Sequence, residues 1–329
     1  MCYNIENEVR NVKKITQREL NPFKYSDSNK RYHTFDYYMK HRFGGKCARI
    51  ALDAGFSCPN KREGRGGCIF CYGGSSGAQC GDTLRIQYEK GIQVMQRKWK
   101  LSGYVPYLQA NTNTYAPVEE LEKIYCQAAS FEGAVMLVIA TRADCLGDDV
   151  VELILKMSEK IPVMVELGLQ STFDETAKRI NRGHTYEEFL SGYNRLRAAG
   201  GDIVITVHLI NGLPGETQEM MLESARQVAD LRPDMVKLHL LHILKDTALE
   251  NIYLSGEYAT MEREDYIDTV VRQIEMFHED TVIARITGDA PADSLVAPEW
   301  CRKKTAVAND IDKEMFSRNT YQGRACRKI

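Results

Sequence analysis

The sequence predicts an α/β fold: a partial (β/α)6 barrel, open on one side, with N- and C-terminal extensions. Two observations predict it. Short runs rich in Val, Ile and Leu recur through the middle of the 329-residue chain, and stretches of helical period separate them. The runs are apolar and branched, as strands of a parallel sheet covered by helices are. The expected strands are 46–52, 105–110, 135–140, 163–169, 203–210 and 235–241, with a seventh at 282–286. Between them, 117–131 opens with Pro117 and two glutamates. Segment 148–160 opens with acids and ends in Lys160, matching the helix dipole. Segment 186–199 stops at Gly200 and Gly201, and 217–231 is followed by Pro233. The expected organisation is a basic, aromatic-rich extension over 1–45, the barrel over 46–290 and a basic extension over 291–329. In such barrels chemistry sits at the C-terminal ends of the strands.

Composition narrows the function class. Hydrophobic residues make up 43% and charged residues 27%, ordinary for a globular protein. No apolar run is long enough to span a membrane, and the first residues lack the apolar stretch of a signal peptide. The expected location is therefore the cytoplasm, with no membrane partner. Ten cysteines in that reducing compartment suggest metal or redox chemistry rather than bridges. The net charge of −2 hides an asymmetry: residues 1–46 and 300–329 each carry +5, leaving −12 for the middle. Basic ends on an acidic body suit nucleic-acid-binding extensions, or simply solvated helix faces.

Directly after the first expected strand comes GFSCPNKREGRGGCIFCYGGSSG, which spaces Cys58, Cys68 and Cys71 as C-x9-C-x2-C. Three thiolates on a glycine-rich loop can wrap a [4Fe–4S] cubane and leave one iron open. A structural zinc site needs four ligands, and Cys80 is a possible fourth. The remaining cysteines show no motif spacing.

This loop resembles that of the radical SAM (S-adenosylmethionine) domain in the Elongator catalytic subunit and its small bacterial relatives. The resemblance runs in order through TRADC (141–145), VELGLQS (165–171), NRGH (181–184), HLINGLPGET (208–217) and VKLHLLHILKDT (236–247). TNTYAP (112–117), TGDAP (287–291) and YQG (321–323) are similar to the short YhcC/YtqA type, to which the tRNA-modifying MnmL type belongs. Ala140 and Ala143 depart from the Glu and Pro common in Elongator-type strands.

The resemblance implies a partial radical SAM barrel, with a [4Fe–4S] cluster on Cys58, Cys68 and Cys71 and S-adenosylmethionine on the open iron. It implies reductive cleavage of SAM and hydrogen abstraction by a 5′-deoxyadenosyl radical, with an electron donor such as flavodoxin or ferredoxin. Phe70 stands where these loops place an aromatic near adenine; an ordinary core phenylalanine is the alternative. Asn113, in the stretch 111–113, is a candidate for the methionyl amine or for a capping turn. Glu166 and Gln170 lie four apart on a strand, hence on one face, with Val165, Leu167 and Leu169 opposite. SAM's hydroxyls and amine could partner them, and Arg182 could pair with its carboxylate. An internal Glu166–Arg182 ion pair is the alternative. Gly212, in the GLPGE turn, could allow close backbone approach to adenine. His208, His239 and His242 form no metal triad in this reading. Arg142 and Lys245, at the expected barrel mouth, are candidate substrate contacts or solvent-facing cations.

The stretch 24–46 mixes cations with aromatics, as RNA-binding surfaces do, or packs its tyrosines on the barrel. Lys30, Arg31, Lys40 and Arg42 are its candidate phosphate contacts. Resemblance to the MnmL type implies action on the anticodon region of tRNA. The implied reaction converts wobble 5-carboxymethylaminomethyl-(2-thio)uridine to 5-aminomethyl-(2-thio)uridine. Two rival readings stand beside it: radical SAM chemistry on a small metabolite or peptide, and a non-catalytic iron–sulfur protein that binds RNA.

Overall fold

The structure is a computed structural model that describes residues 21, 23–62, 64–72, 82–288 and 290–326. Its centre is a parallel sheet of seven strands. The strands are β1 (Cys47–Leu52), β2 (Gly103–Leu108), β3 (Leu137–Thr141), β4 (Val163–Gln170), β5 (Ile203–Asn211), β6 (Met235–Leu240) and β8 (Val282–Arg285). They lie in that order across the sheet, which curls into a half-barrel. The expected (β/α)6 arrangement with a seventh strand is the observed one. A short ribbon pairs β7 (Ile243–Leu244) with β9 (Leu295–Ala297) antiparallel. Strands of two and three residues are too brief to leave a period in the sequence.

Helices α3 (Val118–Ala129), α4 (Asp148–Ser158), α6 (Tyr186–Ala199) and α7 (Gln218–Asp230) are the crossovers the sequence predicts. Each begins on its own chemistry. Thr185 caps α6 in a capping box with Glu188, and Thr217 caps α7. Further helices lie outside the predicted segments, among them the short α5 (Asp174–Arg179) and α8 (Ala248–Leu254). In α2 (Leu84–Gln96) Leu84, Gln87 and Tyr88 are buried, and Ile92 and Met95 continue the stripe, packed partly buried on the core. Helices α9 (Arg263–Met276) and α10 (Lys304–Ser317) pack on each other beside β8.

Strand alternation divides the core in two. Outward residues such as Ile50, Leu108, Ile139, Val165, Val207 and Leu238 meet the helices in the main cluster. Inward residues at the strands' N-terminal ends, Val105, Val138, Met164, Val204, Met235 and Val282, form a second cluster. Helix α1 (Phe35–Phe43) inserts Met39 into it and closes the bottom of the half-barrel. The polar inward residues therefore sit above an apolar floor.

The aromatics of 23–43 pack largely inward. Phe23, Tyr32 and Met39 are buried, and Tyr25 stacks on His33 at 4.5 Å. The four cations expected to contact phosphates are bound within the chain. Lys30 pairs with buried Asp312 and Lys40 with Asp36; Arg42 meets Asp202 at 2.5 Å. Buried Arg31 donates to Asn319 and to the carbonyl of Thr320. Residues 1–20 of the expected extension and Cys80 lie outside the described residues.

Candidate active site

The cysteine loop leaves the C-terminal end of β1 and is braced from two sides. Its own turns close it: Lys61 N–H donates to the Cys58 carbonyl, and Cys71 N–H to that of Cys68, each at 2.9 Å. The NRGH turn after β4 then clamps it. Asn181 donates to the carbonyls of Arg65 and Gly67, both at 2.7 Å. Asn60 reaches back to the Asn181 carbonyl at 2.5 Å and to Cys68 Sγ at 3.6 Å. The sequence match at 181–184 is thus a loop-bracing element as much as a ligand-binding one.

A cavity of about 210 Å³ lies over the strand ends. Its lining brings together Cys58, Cys68, Cys71, Phe70, Arg142, Glu166, Gln170 and Arg182, eight of the eleven expected site residues. Arg182 is buried, donates to the Gly168 carbonyl and lies 4.0 Å from Cys68 Sγ, while its Nε has no partner. A Cβ on Gly168 would come within 3.0 Å of the Gln170 amide and the Arg182 guanidinium, so a larger residue there displaces both side chains. Gln170 adopts a left-handed φ of 77° where the β4–β5 register shifts, and its Oε1 is buried without a partner. Buried polar atoms normally find partners, so these groups suit a polar ligand.

Three expected residues lie outside that lining. Asn113 is buried and ties the ends of β2 and β3 through the carbonyls of Ala110 and Ala140; Asn111 and Thr112 face the cavity in its place. Gly212 packs on Met261 and accepts from the Tyr258 hydroxyl at 2.6 Å. Lys245 is exposed on the loop after β7. Arg142 lines the cavity, but its guanidinium grips Asp144 and the carbonyls of Arg182 and Gly183. Arg142 is thus held within the chain, and Lys245 faces solvent just after β7.

Glu166 does not form the alternative ion pair with Arg182. It pairs with Lys237 at 2.5 Å and Arg49 at 3.4 Å, and accepts from the Tyr107 hydroxyl at 2.6 Å. Burial alone would raise its pKa, but Lys237 and Arg49 outweigh burial and hold it down at about 2. Burial pulls Lys237 down to about 7 against the opposing pull of Glu166. The signal for this network was present in the sequence: Arg49 and Lys237 are lone cations inside apolar strand runs.

Beside this network lies a larger chamber of about 570 Å³, which shares Tyr107 and His208 with the first cavity. His208 and His239 meet edge to face at 3.9 Å, and the Nε2 atoms of both are buried without partners. Burial drives His208 down to about 3, so both rings are neutral near neutral pH.

Among the described residues no three His, Cys, Asp or Glu converge closely enough to share a single metal ion. Thiolates that each bind a separate iron of a cubane stand farther apart than ligands of one ion. Three thiols on one cavity, with partnerless Arg and Gln atoms opposite, fit a cluster and its polar co-substrate.

Comparison with known proteins agrees. Residues 58–228 match the family model described as Radical SAM superfamily, and 233–317 the Radical SAM C-terminal domain. The uncharacterized protein YtqA of Bacillus subtilis is 41% identical over 94% of this chain and 97% of its own. The tRNA uridine(34) acetyltransferase of Methanocaldococcus jannaschii is 27% identical, over 75% of this chain and 52% of its own. The fold is similar to that of the archaeal Methanocaldococcus infernus Elp3, with a TM-score of 0.66 and 19% identity, covering 85% of this chain and 64% of that one.

Proposed function

The chain belongs to the radical SAM superfamily, and from that premise we propose that it modifies the wobble uridine of tRNA. The reaction is conversion of 5-carboxymethylaminomethyl-(2-thio)uridine to 5-aminomethyl-(2-thio)uridine. It is a radical SAM enzyme, and its family binds a [4Fe–4S] cluster and S-adenosylmethionine. Bound together, these supply a 5′-deoxyadenosyl radical that removes a hydrogen atom from the substrate. In this reading Cys58, Cys68 and Cys71 hold the cluster. Arg182 and Gln170 take the polar groups of SAM, and Phe70 flanks its adenine. Asn60, Asn181 and Arg142 keep the loop rigid, and the apolar floor that α1 closes limits water at the reacting centre.

One observation carries the reading: the three-thiol cavity adjoins a second chamber, large enough for a base and lined by cations, with Tyr107 and His208 in the wall of both. The relative named as a tRNA uridine(34) acetyltransferase supports uridine 34 as the target. To reach a buried radical the base must leave the anticodon stack. The enzyme works in the cytoplasm and takes its electron from a donor such as flavodoxin or ferredoxin.

Two measurements test this. Anaerobic reconstitution should give a cubane whose visible absorbance disappears in the Cys58→Ala, Cys68→Ala and Cys71→Ala variants. Mass spectrometry of tRNA nucleosides from cells lacking the protein should show the carboxymethylaminomethyl nucleoside accumulating and the aminomethyl product missing. An unchanged nucleoside profile while the gene is expressed removes this substrate, and turnover of a small metabolite or peptide becomes the better reading.

A further inference from the structure

The four cations that the sequence offers as phosphate contacts are held within the chain, so an RNA substrate needs another surface. Strands β1 and β8 are the two edges of the sheet, and a cleft of about 280 Å³ lies between them. Ala48 and Arg49 line it from β1, Ala284 from β8, and Met95 and Trp99 from α2 and the segment beyond. Arg49 and Met95 also line the larger chamber, so the two spaces adjoin. Exposed Lys90 and Val94 form the chamber's wall on the α2 side, beside solvent. The segment that leaves α2 reads Arg97-Lys98-Trp99-Lys100, and all four residues are exposed. Among the described residues no carboxylate pairs with Arg97, Lys98 or Lys100. The nearby acids serve other cations, Glu89 serving Arg85 and Asp82 serving Lys90. In a chain whose middle carries −12, three unanswered cations within four residues run against the surrounding charge. Trp99 is 46% exposed, and Lys46 Nζ, which also lies 3.7 Å from Asp36, sits 4.6 Å from its ring centre. Trp300, the other tryptophan of the chain, is half-buried and donates its indole N–H to the Met261 carbonyl. The helix dipole favours cations at this end of α2, but it gives no reason to leave a tryptophan exposed among them.

We infer that Arg97, Lys98, Trp99 and Lys100 form a docking surface for single-stranded RNA, holding a nucleotide next to the one that enters the chamber. The inference rests on the wobble-uridine reading and deepens it. An exposed indole offers a face on which a base stacks, and the flanking cations offer partners for its phosphates. A single strand fits this surface better than a duplex. Paired bases stay stacked on each other, so a duplex presents phosphates but no free base face to Trp99. A wobble base drawn out of the anticodon stack leaves a neighbour with such a face exposed. Phosphate and stacking contacts position a strand without reading its sequence. The surface therefore grips loops of different sequence, and selection of the base falls to the chamber.

The test is fluorescence anisotropy on full-length, anaerobically reconstituted protein with SAM. The probes are a labelled anticodon stem-loop RNA and a fully paired RNA of the same length. A variant combining Arg97→Gln, Lys98→Gln and Lys100→Gln should bind the stem-loop about tenfold or more weakly. Its plot of log affinity against log salt should be shallower by about two, since each lost single-strand phosphate contact removes about 0.7. Cluster absorbance, melting temperature and SAM affinity should stay at wild-type values. Trp99→Ala should weaken stem-loop binding about tenfold, and Trp99→Phe should keep most of it. The stem-loop should quench tryptophan emission in the wild type and not in Trp99→Phe, a signal that a purely structural Trp99 would not give. The paired RNA should be indifferent to Trp99→Ala. Wild-type stem-loop affinity in both the triple variant and Trp99→Ala overturns the inference, and so does equal loss of the paired RNA in Trp99→Ala. Binding of an acidic flavodoxin but of neither RNA, lost in the triple variant, overturns it in favour of an electron-donor surface. Failure here with a changed nucleoside profile in deletion cells leaves the wobble reading standing. The expected losses with an unchanged profile retire that substrate and keep the RNA surface.

Discussion

At the scale of single residues, Arg182 shows how one side chain can serve both fold and ligand. It braces the Gly168 carbonyl and sits beside Cys68, yet its Nε has no partner. Replacing it with Met should weaken SAM binding about tenfold or more, the worth of a lost charge-assisted contact. Iron content should stay near four per chain, about that of a cubane. A collapsed melting temperature with normal SAM affinity in the folded fraction would show a brace only. His208 makes a second prediction. Burial lowers its pKa from the usual 6.5 to about 3, so the unfolded chain binds a proton that the folded chain refuses. Stability tied to His208 is complete above pH 6.5 and falls as the pH drops toward 3. Each proton that the folded chain refuses changes stability by about 1.4 kcal/mol per pH unit. His208→Gln should therefore flatten the decline of urea-unfolding stability between about pH 6 and pH 5, relative to wild type. Equal slopes in the two proteins count against a neutral, buried His208.

At the scale of elements, the strands were legible because their period of two is a local property. Val165, Leu167 and Leu169 face the helices, and Glu166 faces the barrel interior, as alternation requires. Helices with capping chemistry or flanking Gly and Pro were legible for the same reason. Helix α2 was not predicted, although Leu84, Tyr88, Ile92 and Met95 keep the helical period and pack on the core. Contacts between elements were hidden, and Gly192 on α6 is an example. A Cβ there would lie 2.1 Å from the backbone carbonyl of Ala143, so α6 rests directly on the turn that follows Arg142. Alanine normally gains about 1 kcal/mol over glycine in a helix. Here overpacking costs about 1–3 kcal/mol and should win, because the obstacle is backbone. Gly192→Ala is expected to lower the denaturant midpoint and to weaken cluster retention through the displaced Arg142 turn. A midpoint raised above wild type would mean that α6 can move away freely.

At the scale of the whole molecule, the two basic ends turn out to hold each other. Gln322, in the YQG match, is buried and accepts from His33 N–H at 2.8 Å. It also donates to the carbonyls of His278 and Thr281, at 2.6 and 2.7 Å. Its own N–H reaches the Arg31 carbonyl at 3.0 Å. One amide thus ties the segment before α1, the segment after α10 and the approach to β8. Gln322→Ala strands three backbone groups and should cost on the order of 3 kcal/mol, seen as a lower midpoint in chemical denaturation. Neutralising Lys30 should likewise destabilise, because it abandons buried Asp312. An unchanged midpoint in both variants would return these cations to the surface role the charge asymmetry suggested.

The sequence by itself determined the fold class, the three cysteines and the family. Each depends on spacing within a short stretch or on order along the chain, which folding does not alter. Only the tertiary structure decided the partners of Glu166. Tyr107 and Lys237 lie 59 and 71 residues away, and each reaches Glu166 across other strands of the sheet. Which inward residues share a layer depends on parallel register and on the curl of the sheet. Both are set by crossover helices packing against one another, and no local pattern encodes them. The same holds for the basic ends, whose charges are plain in the sequence and whose internal partners only packing supplies.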